Sequence, residues 1–152
     1  HNWRMSKGNA LPYTITPFVR DTCVCLHLQR AARAVARRFD DALRPLGLTS
    51  GQFSLLMALN RPEPPTMGQV AAVLAMDRTT LTANLKPLER RGLVKVTVDK
   101  ADKRSRRLHL APTGRALLAT AYPVWKKEHA AVDRLLGDSD PERLRDDLRA
   151  LS

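Results

Sequence analysis

The chain has 152 residues, with 26 Lys and Arg against 15 Asp and Glu, for a formal charge of +11. That length fits a single domain over residues 1–152, and that charge favours a polyanionic partner: nucleic acid, or an anionic membrane surface. The two cysteines, Cys23 and Cys25, are too close in sequence to staple a secreted scaffold, which points to a reducing cytoplasm.

Met5 offers a start that would leave His1 to Arg4 as an addition, and no signal-peptide core follows it. No run reaches the roughly eighteen apolar residues of a membrane span, so no membrane partner is expected. From Pro17 to Leu46 the apolar residues Leu28, Ala32, Val35, Phe39, Ala42 and Leu46 recur at alternating spacings of four and three. This spacing predicts one long helix with a buried seam and solvated faces carrying Arg30, Arg33, Arg37, Arg38, Asp40 and Asp41. Thr49 lies three residues before Gln52, a reciprocal capping pattern, and opens a short apolar helix through Phe53, Leu55, Leu56, Met57 and Leu59. Pro62, Pro64 and Pro65 end it. Thr66 and Gln69 repeat the capping pattern before a helix over Val70, Ala71, Val73 and Leu74. After a turn at Ala75 to Asp77, Asp77 caps the next helix, which runs from about Arg78 to Arg91 and stops at Gly92. Two short helices joined this way predict a helix-turn-helix.

Beyond Gly92 the period becomes two, with Val94, Val96 and Val98 alternating with Lys95 and Thr97, and Leu108 and Leu110 repeating the pattern. The polar stretch Asp99 to Arg107 between them makes a hairpin with a charged tip, a wing. Thr113 to Arg115 opens a helix towards Leu136 that Pro123 should kink or divide, with Gly137 at its end. Ser139 to Glu142 starts a last helix carrying Leu144, Leu148 and Leu151. The expected fold is therefore mainly α with a small β-hairpin wing. Residues 49–111 form the winged helix, flanked by the helical regions 17–46 and 113–152 from the two chain ends.

Between Arg78 and Arg107 there are ten basic residues against three acidic ones, so +7 of the net +11 sits on this segment. Focused charge of that kind suits phosphate neutralisation with counterion release. At about 100° per residue, Leu81, Leu85 and Leu88 share the inner side of the Arg78 helix. Thr79, Ala83, Lys86 and Arg90 lie nearly opposite, flanked by Thr82. Thr methyls and hydroxyls and a Lys amine can all read base edges at close range. Arg78, near the helix start, can reach a base or a phosphate, and Thr80 belongs to the same exposed first turn. At the wing tip Lys100, Lys103 and Arg104 supply cations, and Asp102 is expected to hold Arg104 for entry into a narrow minor groove.

These residues resemble the MarR family of bacterial transcriptional regulators. The likeness spans roughly Asp21 to Trp125 and is densest in Leu48 to Phe53, Asp77 to Thr82, Leu88 to Val94, Asp102 to Ser105 and Leu110 to Arg115. The resemblance implies a homodimer whose intertwined ends set two recognition helices in successive major grooves and two wings in minor grooves, over a pseudo-palindrome. It also implies a small aromatic or phenolic effector, for which Arg30, Arg33 or Trp125 are possible lining residues. Cys25 falls where the hydroperoxide-sensing branch of that family has its reactive cysteine, which makes it a possible redox site. Gln29 and Phe39 stand where that branch has tyrosines.

Cys23 and Cys25 on one helix would point about 200° apart, a poor geometry for a mutual disulfide. Cys23 and His27 share a helical face, but no third residue nearby completes a metal site, so no metal and no cofactor is expected. A thiol sensor and a basic RNA-binding or architectural module are the alternatives. Aromatic residues at 5% are too few and too scattered for stacking platforms. No phosphate loop, metal motif or activated nucleophile suggests an enzyme.

Overall fold

Capping and periodicity lay out most of the chain as helices, and the computed structural model describes Gly8 and residues 10–152. The expectation about a start at Met5 lies outside these residues. In chain order the elements are α1 (Ile15–Thr22), α2 (Val24–Leu43), a short 3-10 turn (Arg44–Leu46), α3 (Ser50–Leu59), α4 (Met67–Val73), α5 (Arg78–Arg90), β1 (Val94–Val98), β2 (Arg106–Leu110), α6 (Pro112–Arg134) and α7 (Pro141–Ala150). This is the mainly α architecture with one hairpin that the sequence implies. Two compact units follow from the contacts, one ending at Val35 and the other running from Ala36 to Ser152. No helix among the described residues is long and apolar enough to cross a membrane.

The helix expected from Pro17 to Leu46 is interrupted at Cys23, whose backbone is extended with ψ 110°. Cys23 serves as the cap of α2: its Sγ accepts from the Leu26 amide at 3.4 Å and its carbonyl accepts from the His27 amide at 3.1 Å. A side-chain acceptor there satisfies one of the unpaired amides at a helix start, a job that spacing of apolar residues cannot reveal. At the other end Pro45 stops the α-helix, and Gly47 turns the chain at φ +68°. The apolar seam is also covered unevenly. In the first unit Leu28 and Ala32 are exposed and Val35 is half-buried, whereas Phe39 and Leu43 in the second unit are buried.

Within the second unit both capping boxes form. Thr49 Oγ1 accepts from the Gln52 amide at 3.1 Å and Gln52 returns the bond at 3.0 Å, and Thr66 and Gln69 do the same at 3.2 and 2.9 Å. The Phe53, Leu55, Leu56 and Leu59 side chains of α3 are buried, as are Leu81, Leu85 and Leu88 of α5, Val70 of α4 and Leu108 of β2. The turn between α4 and α5 is closed by the Met76 amide bonding the Ala71 carbonyl at 2.9 Å, with Ala75 held at φ +50°. An alanine fills the left-handed position that glycine usually occupies in this motif. The hairpin pairs Val94 with Leu110, Val96 with Leu108 and Val98 with Arg106. Pro87 and Pro123 remain inside α5 and α6, so Pro123 does not divide its helix. Gly137 turns the chain at φ +61° shortly after α6 ends.

Among the described glycines the tightest surroundings are at Gly114, in the first turn of α6. A Cβ there would lie 2.2 Å from the Leu93 carbonyl oxygen and 3.0 Å from Leu110 Cδ1. The same stretch is tied by the Ala111 amide donating to the Leu93 carbonyl at 2.9 Å and by the Thr113 hydroxyl donating to the Gly92 carbonyl at 2.7 Å. Backbone cannot yield as a side-chain tip does, so Gly114→Ala should destabilise by about 1–3 kcal/mol. A urea midpoint equal to that of the unaltered protein would contradict this packing.

Asp77 caps α5 by accepting the Thr80 amide at 2.7 Å and the Thr80 hydroxyl at 2.9 Å. Those bonds to the charged form, the amide first, hold the Asp77 carboxyl below its usual range. Because the folded-state value is the depressed one, the contribution is present above the unfolded-state value and is lost as pH falls through the folded-state one. Asp77→Ala should therefore lower thermal stability at neutral pH and narrow its gap from the unaltered protein in acid. A gap independent of pH would contradict the cap.

Candidate nucleic-acid interface

Packing Leu81, Leu85 and Leu88 inward leaves Thr79, Thr82, Ala83, Lys86 and Arg90 exposed along the opposite side of α5, together with Arg78 and Thr80 at its start. Two of the three hydroxyl protons are already used. Thr80 donates to Asp77, and Thr82 donates to the Arg78 carbonyl at 2.8 Å. What these two present outward is a methyl group and oxygen lone pairs. Among the described residues the Thr79 hydroxyl makes no protein hydrogen bond. The Arg78 guanidinium leans over the first turn of α4, since a Cβ on Gly68 would sit 3.2 Å from Arg78 Nη2. Arg78 is thereby placed between the starts of the two helices.

The wing loop is built by short-range bonds. The Asp99 amide donates to the Ser105 carbonyl at 3.0 Å and the Ser105 amide to the Asp102 carbonyl at 2.9 Å. Asp102 was expected to hold the Arg104 side chain, but its carboxylate accepts the Arg104 backbone amide at 3.0 Å. It shapes the turn, as aspartates do two residues ahead of an amide. Lys100, Lys103 and Arg104 are all exposed on this loop, and among the described residues the Arg104 guanidinium has no ion pair or hydrogen bond.

The ten cations counted from sequence are not equivalent. Arg91 donates to the Gly47 carbonyl at 2.7 Å, Arg106 reaches the Lys103 carbonyl at 3.3 Å, and Arg107 bonds the Pro64 carbonyl at 2.9 Å and the Asp99 carboxylate at 3.4 Å. These three guanidiniums serve the frame of the helix-turn-helix and wing. No sequence signal separates them from their neighbours, because their partners are carbonyls supplied by the fold.

In the first unit Cys25 is exposed and the Gln29 amide nitrogen lies 3.4 Å from its Sγ. Gln29, which stands at one of the two positions matched to tyrosines of the hydroperoxide-sensing branch, therefore reaches the sulfur. Since Cys23 lies outside the helix, the 200° separation argued for the two thiols no longer applies. His27 Nδ1 lies 2.7 Å from the Cys23 carbonyl, so that ring nitrogen is occupied by the cap. Among the described residues no cluster of three or more His, Cys, Asp or Glu is arranged to hold a metal ion. Arg30 and Arg33 are exposed on α2 in this unit.

In the second unit Trp125 stacks on His129 at 4.6 Å and on Phe53 and Tyr122 at 6.0 Å each, and Phe39 faces His129 at 6.4 Å. Trp125, Tyr122, Phe53 and Met57 line a pocket of about 380 Å³ completed by Val73 and Leu74 at the end of α4. Its walls carry no charged side chain.

Comparison with known proteins gives a consistent answer. The sequence profile of the MarR family matches residues 46–105. The crystal structure of the transcriptional regulator MosR from M. tuberculosis with DNA is 40% identical, covers 85% of this chain and 92% of that one, and superposes with a TM-score of 0.77. CouR from Rhodococcus jostii RHA1, bound to p-coumaroyl-CoA, is 25% identical over 86% of this chain and 92% of that one, with a TM-score of 0.72. Among curated proteins, the HTH-type transcriptional regulator TtmR of Methylorubrum extorquens is 32% identical over 97 residues, 64% of this chain and 50% of that protein. The chain spans about half the length of the first curated relatives it matches. With its capped helix-turn-helix, its charged hairpin and these likenesses, the chain belongs to the MarR family.

Proposed function

We propose that the chain is a sequence-specific DNA-binding transcriptional regulator that acts as a homodimer in the cytoplasm, by binding and without a catalytic step. The observation that carries this reading is the exposed row Thr79, Ala83, Lys86 and Arg90 on α5, next to a hairpin whose tip exposes Lys100, Lys103 and Arg104. A helix of that kind enters a major groove, where small side chains permit close approach and cations meet guanine edges or phosphates. The wing tip then lies over the neighbouring minor groove. MosR, crystallised in complex with DNA, supports the DNA-binding reading of this chain.

Two apolar faces support the dimer. Ile15, Phe18 and Val19 fall on one side of α1, and Leu144, Leu148 and Leu151 on one side of α7, and all six are exposed in the single chain. Covering them with a second copy removes apolar surface from water and sets two recognition helices on a two-fold axis. In this reading residues 17–46 and 113–152 form the dimerisation region and 49–111 the DNA-binding part. An effector fits the pocket against Trp125, where an aromatic ring would lie against Tyr122, Trp125 and Phe53 and press on Val73 and Leu74 of the helix-turn-helix. The p-coumaroyl group held by CouR is a ligand of this phenolic type.

The test of DNA binding begins with a duplex selected by the unaltered protein from a random-sequence library. Lys86→Ala and Arg104→Ala should each weaken its binding by about tenfold, with the salt dependence shallower by about one unit wherever the lost cation met a phosphate. Unchanged affinity in both variants would rule out this surface. For the effector, a Trp3→Phe protein leaves Trp125 as the sole tryptophan. A panel of phenolic and aromatic acids should quench its fluorescence and release the selected duplex. A panel with no effect on either would remove the effector from the proposal.

A further inference from the structure

Arg107 counts towards the basic charge of the wing, yet its surroundings assign it elsewhere. It sits on β2, where its backbone forms an isolated bridge with Thr66, immediately before α4. Its guanidinium donates to the Pro64 carbonyl at 2.9 Å through Nη1 and to Asp99 Oδ2 at 3.4 Å through Nη2. The other oxygen of Asp99 accepts the Ala101 amide at 3.2 Å, which is the first turn of the wing loop. One residue on, the Leu108 amide donates to the Pro65 carbonyl at 2.9 Å. A continuous path of bonds therefore runs from the wing loop through Asp99 and Arg107 to the proline segment that leads into the helix-turn-helix. The Asp99 side chain is only 13% exposed and that of Arg107 35%, so this pair is screened less than a surface pair.

We propose that Arg107 is a positioning residue for DNA recognition: it fixes the angle of the wing against the helix-turn-helix, and so fixes where Arg104 enters the minor groove. It touches no DNA itself. A two-stranded hairpin standing alone is marginally stable and free to swing about its base. The planar guanidinium bridges two acceptors in fixed directions, which an ammonium on a flexible stem does not do. A wing held at one angle keeps the entropy cost of ordering Arg104 from falling on the binding step.

This inference rests on the DNA-binding reading above, and the test separates the two. Using the selected duplex, Arg107→Met keeps the apolar stem and removes both bonds. It should weaken binding about tenfold with the salt dependence unchanged, because no phosphate contact is lost. Asp99→Asn should weaken binding too, even though it removes a negative charge from a DNA-facing surface. Arg107→Lys should recover only part of the loss. Arg104→Ala should cost several-fold less in the Arg107→Met background than alone, since a misaimed Arg104 has little left to lose. A salt dependence shallower by about one unit in Arg107→Met, full recovery with Arg107→Lys, or unchanged or tighter binding by Asp99→Asn would make Arg107 a phosphate contact and overturn the proposal. Hydrogen exchange decides the matter without DNA. The Asp99 and Leu108 amides should exchange faster in both Arg107→Met and Asp99→Asn, and unchanged protection would overturn the positioning role even if the DNA reading holds. Failure of the unaltered protein to select any duplex would instead count against the DNA-binding reading.

Discussion

The close approach of Gly114 to the Leu93 carbonyl is the constraint on which the second unit depends. Leu93 precedes β1 and Ala111 follows β2, so the Ala111 to Leu93 bond cinches the base of the hairpin. The same junction joins the end of α5 to the start of α6. Only a residue without a Cβ lets the two backbones come this near. The end of α5, the root of the wing and the start of α6 thus meet at one junction between main chains.

Much of this was legible in the sequence because the signals are local. The boxes at Thr49 and Thr66, the Asp77 cap and the Gly92 stop act over three or four residues, and the hairpin announces itself by alternation of Val94, Val96 and Val98. What could not be read depends on partners far along the chain or on backbone acceptors. The break at Cys23 is one case, since a thiol accepting an amide bond leaves no mark on the apolar period. Asp102 is another: its bond to the Arg104 amide makes it a turn former, although its spacing from Arg104 suited an ion pair equally well.

Seven net positive charges between Arg78 and Arg107 describe a field, which attracts a polyanion from a distance whatever each cation touches. Contact is decided differently. Arg91, Arg106 and Arg107 spend their donors on carbonyls and a carboxylate, while Lys86, Arg90, Lys103 and Arg104 extend from exposed positions. All ten cations contribute to that field, whereas the seven other than Arg91, Arg106 and Arg107 donate to no protein group among the described residues.

The proline segment before α4 has an effect on the sheet as well. Pro64 and Pro65 have no amide hydrogen, so the strip they form along β2 can accept bonds but cannot donate them. Leu108 and Arg107 use those carbonyls, and regular pairing goes no further than the single bridge at Thr66. That side of the hairpin is covered by an irregular segment whose prolines cannot donate to a further strand. The β2 edge of this small sheet is in this way kept from pairing with the sheet of a neighbouring molecule, a safeguard built from the residues that also stiffen the approach to α4.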